Sequence, residues 1–184
     1  MGLLLAVSPL PTVAKGVAKV RVTETFREMG PCKVGEQMPT WAGHTAKGQT
    51  VRSQDLIRPR RGDVPQALVI SFFGTYCAPC KIGLPIIQKV MDENPTYKTV
   101  LIAKPPKLNL VTPFLKNLGV RQLVVEDEHE KIAGRLGVGK KVPRTIVVGR
   151  DGVVRAIFGI EGVNFKQQLE AALQEAESKA RIKK

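Results

Sequence analysis

Leu68-Val69-Ile70-Ser71-Phe72-Phe73-Gly74-Thr75-Tyr76-Cys77-Ala78-Pro79-Cys80-Lys81-Ile82-Gly83-Leu84-Pro85-Ile86-Ile87-Gln88 is the stretch from which the rest of the chain is read. Its β-branched and aromatic opening, Val69 to Phe73, predicts a buried strand, and an apolar helix-like run follows two cysteines in C-x-x-C spacing. That order sets Cys77 and Cys80 at the mouth of a helix. There the unpaired amides of the first turn and the positive end of the backbone dipole favour thiolate over thiol. The leading expectation is therefore dithiol/disulfide exchange.

The 184 residues fit one domain large enough to bury a substantial core without disulfide staples. Three cysteines are too few for a disulfide framework, and if Cys77 pairs with Cys80 then Cys32 is left as a free thiol. Lys and Arg number 29 against 16 Asp and Glu, a net charge of +13. The basic residues lie in small groups: Arg58, Arg60 and Arg61, then Lys140, Lys141 and Arg144, then Lys179, Arg181, Lys183 and Lys184. No aromatic RNA-binding motif or Cys/His finger spacing accompanies them, so a solvated basic surface is favoured over nucleic-acid binding. A membrane surface is compatible with the charge but has no feature of its own in support. No stretch approaches the length of a transmembrane helix.

The N-terminus admits two readings. Leu3 to Val7 is apolar and small residues such as Ala14 and Ala18 follow, as in a secretory leader, but the basic start of such a leader is missing. The other reading is a disordered tail. Residues 1–34 are thus read as a leader or flexible segment, 35–178 as the folded domain and 179–184 as a basic tail.

Along the chain, Val20 to Arg27 reads as an extended or edge segment, and Trp41 to Ile57 as a short hairpin with a turn before Leu56. Arg58 to Asp63 reads as an exposed loop, in which the Arg-Gly-Asp tripeptide is taken as chance. Ile82, Ile86 and Val90, with Ile87 and Met91 beside them, follow helical spacing; Pro85 should bend that helix and Asn94-Pro95 end it. Thr99 to Ala103 is a second strand. Thr112-Pro113 predicts the start of another helix, closed by Gly119. Gln122 to Val125 is a third strand and His129 to Leu136 a short helix. Ile146 to Val148, the Asp151-Gly152 turn and Val153 to Phe158 predict a β-hairpin. Asn164 then caps a final helix with Phe165, Leu169, Leu173 and Ala176 on one face. Strands alternating with helices before a terminal hairpin imply an α/β fold, a mixed central sheet with helices on both faces.

These residues resemble the thioredoxin superfamily, and within it the extracytoplasmic group typified by TlpA and ResA. The resemblance runs from Gly35 to about Gln174. It is carried by Gly35 with Pro39 before a short N-terminal hairpin, by Phe72 to Lys81, by Pro85, and by Val142-Pro143 just ahead of a strand. It implies a thioredoxin fold and a thiol:disulfide oxidoreductase acting as a reductant in an extracytoplasmic, periplasm-like compartment. In that reading Cys77 is the attacking thiolate and Cys80 the resolving thiol. Pro143, in cis, presents the Val142 backbone to an extended substrate segment and keeps metal ions from the sulfurs. The implied partners are a protein carrying a disulfide and an upstream thiol electron donor; no cofactor and no metal are implied.

The chain departs from its relatives at three positions. Thioredoxins carry a buried acid six residues before the first cysteine, where Ser71 stands, and the ResA group a glutamate three residues after the second, where Gly83 stands. Glu126 or a water would have to substitute, which leaves the direction of electron flow open. Peroxiredoxins share the fold but need a threonine three residues before the reactive cysteine, where Gly74 stands, so peroxidase activity ranks below thiol exchange. Other readings of the pair stay open: a structural disulfide, or a non-catalytic module handling copper through Cys77 and Cys80. Zinc would need two more ligands, and His44, His129 and Cys32 show no recognisable spacing. Cys32 is read as incidental, Trp41 as packing and His129 as solvated. Lys141 and Arg144 either raise the potential beside Pro143 or are plain surface charges.

Overall fold

The computed structural model describes residues 32–57, 66–104, 108–159 and 162–178. In chain order the elements are β1 (Ala42–His44), β2 (Thr50–Arg52), α1 (Ser53–Ile57), β3 (Leu68–Phe73), α2 (Ala78–Glu93), β4 (Lys98–Ala103) and α3 (Leu108–Asn117). There follow β5 (Leu123–Glu126), α4 (Lys131–Leu136), β6 (Arg144–Val148), β7 (Val154–Phe158) and α5 (Phe165–Ser178). The strands form one sheet in the order β2-β1-β5-β4-β3-β6-β7.

β3 lies in the interior of the sheet, between β4 and β6, because every one of its residues is apolar or small enough to be buried on both faces. It runs parallel to β4 and antiparallel to β6. Alternation divides its side chains between two cores. Val69 and Phe73 join Leu101, Ala103 and Val147 beneath the buried stripes of α2, α3 and α5, which include Leu84, Ile87, Val111, Leu115, Phe165 and Leu169. Leu68, Ile70 and Phe72 join Val100, Ile102, Ile146 and Val148 on the other face, covered by Ile132 and Leu136 of α4, Ile57 of α1, and Trp41. Phe72 and Phe73 thus anchor opposite layers, and truncating either to alanine would cost about 3–5 kcal/mol.

The segment that precedes β3 reaches both sides of the sheet. The Gly35 amide donates to the Val154 carbonyl at 2.8 Å and the Val154 amide to Glu36 at 2.9 Å, lining the outer edge of β7. The chain then crosses the sheet, and the β1-β2 hairpin extends it beyond β5, with His44 opposite Glu126. This is the added N-terminal hairpin expected from the sequence, on a mixed sheet with helices on both faces.

Four local expectations need correction. Ser53–Ile57 is a short helix where a turn was expected. α3 is already helical at Leu108, so Thr112 and Pro113 lie inside it; Pro113 does not start it. Gly119 closes it as expected, at φ +67, with the Val120 amide bonded back to Leu115 at 3.0 Å. The helix expected over His129–Leu136 begins at Lys131, because His129 and Glu130 hold left-handed conformations at φ 54 and 53. Ile82 is 62 % exposed, so the buried stripe of α2 runs through Cys80, Leu84, Ile87 and Met91 without it. The expectations for Val20–Arg27, the Arg58–Asp63 loop, the leader and the basic tail lie outside the described residues.

Candidate functional site

Where β3 ends, the chain must turn sharply into α2. Gly74 permits this, because a Cβ there would lie 2.7 Å from the Tyr76 ring and 2.8 Å from the Lys104 carbonyl oxygen. The Cys77 amide closes the turn on the Gly74 carbonyl at 3.1 Å. Cys77 then caps α2, and its Sγ accepts the Cys80 amide hydrogen at 3.1 Å. Pro79 falls in the first turn, where a missing N–H costs nothing. Cys77 and Cys80 are joined by a disulfide, with Cα atoms 5.3 Å apart. Cys80 is fully buried and Cys77 nearly so, while Tyr76 and Ile82 beside them are largely exposed.

The Val142–Pro143 peptide bond is cis. The β3-β6 ladder ends with Phe72 opposite Arg144, so Val142 and Pro143, just ahead of β6, lie at the end of the sheet where β3 leads into Gly74. The fold therefore brings all four sequence-predicted residues to the same end of the sheet. Val142, half-buried, packs against both cores.

Ser71, at the position of the thioredoxin acid, lies under α2 and accepts a hydrogen bond from the Thr145 hydroxyl at 3.0 Å. A hydroxyl pair thus lies on the sheet face whose core includes Cys77 and Cys80. Glu126 ends β5 on the row that runs from Phe73 through Ala103, two strands from the dithiol strand. Among the described residues its buried Oε1 has no hydrogen-bond partner.

Cys32 is separated from the pair by the whole sheet. It lies in the opposite core, where burial pushes its thiol up to about 11 against the opposing charge of Arg144. Arg144 is itself buried on that face, and burial lowers its pKa, so it does not flank Pro143 at the surface. Lys141 is exposed. Trp41 is buried packing, and His129 is exposed as expected.

Two residues near this edge escaped the sequence reading. Asp127, buried, accepts the Ile132 and Ala133 amides at 2.7 and 3.0 Å and so caps α4; burial raises its pKa, and the two amides and Lys104 oppose that. An acid just ahead of a helix was a usable signal. Lys104, only 3 % exposed, gave none.

The disulfide at a helix N-terminus beside a cis-proline is an arrangement that can exchange thiols. The dipole and the Cys80 amide favour a Cys77 thiolate once the bond is reduced.

Comparison with known proteins agrees with this geometry. The chain is 25% identical over 151 residues to a thiol-disulfide oxidoreductase ResA of Bacillus thuringiensis, covering 81% of this chain and 82% of that protein. Its fold is similar to that of a putative thiol:disulfide interchange protein DsbE from Chlorobium tepidum, with a TM-score of 0.68 at 19% identity over 79% of this chain and 99% of that one. A putative protein disulfide isomerase from Bacteroides thetaiotaomicron gives a TM-score of 0.64 at 20% identity, over 82% and 94% of the two chains. These likenesses confirm the thioredoxin-like fold. The model of the AhpC/TSA family matches residues 34–157, well over half of the chain, and the protein belongs to that family.

Proposed function

We propose that this protein is a thiol:disulfide oxidoreductase that reduces protein disulfides through Cys77 and Cys80, with residues 35–178 as the functional unit. The observation that carries the reading is the Cys77 Sγ at the cap of a 16-residue helix, accepting the Cys80 amide. In the reduced protein the Cys77 thiolate attacks one sulfur of the client disulfide. A mixed disulfide forms, and the displaced client thiolate takes a proton from water. Cys80, deprotonated, then attacks the Cys77 sulfur and releases the second client thiol. The client gains two electrons and two protons, and the Cys77–Cys80 disulfide remains for an upstream thiol donor to reduce.

In this reading the backbone of Val142, beside cis-Pro143, receives an extended client segment next to Cys77. The compartment is extracytoplasmic, in keeping with the resemblance to the TlpA and ResA group; fractionation of the native host would test it. Peroxidase chemistry is disfavoured, because Gly74 stands three residues before Cys77, where a peroxiredoxin needs a threonine.

The test is reduction of insulin by wild type and Cys77→Ser. Turnover in wild type that disappears in the variant is expected. No turnover in wild type, combined with tight Cu(I) binding, would favour the non-catalytic copper-handling alternative.

A further inference from the structure

Lys104 touches both walls of the dithiol site without facing solvent. Its amide donates to the Phe73 carbonyl at 2.8 Å, one step beyond the β3-β4 ladder, and its carbonyl packs against Gly74 at the entrance to the cysteine loop. Its side chain turns the other way. Nζ donates to the Gly139 carbonyl at 3.0 Å and lies 3.5 Å from Glu130 Oε1. Gly139 belongs to the connection between α4 and β6 that ends in cis-Pro143.

An ammonium is a costly way to fill space, since a methionine would pack as well without desolvation. The surroundings are built to hold it. Buried Asp127 interacts with its charge, and Glu130 is presented to it from a left-handed turn that is unfavourable for a non-glycine residue.

We infer that Lys104 is a positioning residue for client docking. Its ammonium ties the Gly139–Pro143 segment to the strand end that carries Gly74 and Cys77, so that a client strand laid along Val142 brings its disulfide to Cys77. The inference rests on the dithiol exchange proposed above. It predicts a split between substrates: a folded protein disulfide needs both walls, whereas a small aromatic disulfide such as dithionitrobenzoate needs only the thiolate.

The experiment compares wild type, Lys104→Met, Lys104→Gln and Glu130→Gln on insulin and on dithionitrobenzoate. Lys104→Met should lower kcat/KM for insulin about tenfold, mainly through KM, and change the small-disulfide rate less than about twofold. Lys104→Gln, with a neutral donor on a similar stem, is read the same way if the methionine variant does not fold. Glu130→Gln, at an exposed carboxylate, should shift the ratio in the same direction by about twofold. An unchanged ratio in the folded variants, or equal losses on both substrates, would overturn the inference. A wild type inactive on both substrates would instead overturn the proposed function.

Discussion

Thr145 Oγ1 donates a hydrogen bond to Ser71 Oγ at 3.0 Å across the β3-β6 ladder, on the sheet face shared with Cys77 and Cys80. Two neutral hydroxyls pair where thioredoxins bury an acid. Ser71→Ala and Thr145→Val should each lower stability by about 1 kcal/mol, the net worth of one buried hydrogen bond. The double variant should lose less than the sum, because neither partner then remains. Urea unfolding of the four proteins measures the coupling; strict additivity would contradict it.

Gly74→Thr tests the peroxidase alternative. The new Cβ would meet the Tyr76 ring, which is exposed and able to swing away, and the Lys104 carbonyl, which is backbone and is not. Overpacking of this kind costs about 1–3 kcal/mol. The variant should melt earlier and gain no hydrogen peroxide consumption; a stable variant with measurable peroxidase turnover would refute this.

The Cys32 thiol titrates near 11 when folded, against 9.0 ordinarily. The unfolded chain therefore releases this proton first as pH rises. Stability from this group is complete below about pH 9 and is lost between about 9 and 11, on the order of 2–3 kcal/mol in all. Unfolding free energies at pH 8, 9, 10 and 11 should show an alkaline decline that Cys32→Ala largely removes. An identical decline in both proteins would rule out Cys32 as its source.

Asp127 holds two helix amides, with Lys104 as a neighbouring charge. Asp127→Ala strands both amides and should cost about 2–4 kcal/mol, whereas Asp127→Asn, which keeps one acceptor, should cost less. Thermal melts of the two variants give the order; an alanine variant as stable as the asparagine one would show that α4 is capped by other means.

Much of this was legible because the signals were local. The Val69–Phe73 run, the C-x-x-C at a helix start and the Asp151-Gly152 hairpin each depend on adjacent residues, and each formed as read. Thr112-Pro113 misled because a capping pattern competes with helix continuation, and Val111 and Leu115, one turn apart and both buried, draw the helix through it. Arg144 was misplaced although period-two alternation with Ile146 and Val148 assigns it to the Cys32 face. The Ser71–Thr145 pair spans 74 residues and the Lys104–Gly139 bond 35, distances over which no pattern in a single sequence reports contact.

In the proposed exchange Cys77 attacks and Cys80 resolves. Cys80→Ser, reduced and mixed with a disulfide-bonded client protein, tests it most directly by non-reducing electrophoresis and peptide mapping. A persistent mixed disulfide through Cys77, absent from Cys77→Ser, is expected. Trapping through Cys32, or an equal yield from Cys77→Ser, would contradict it.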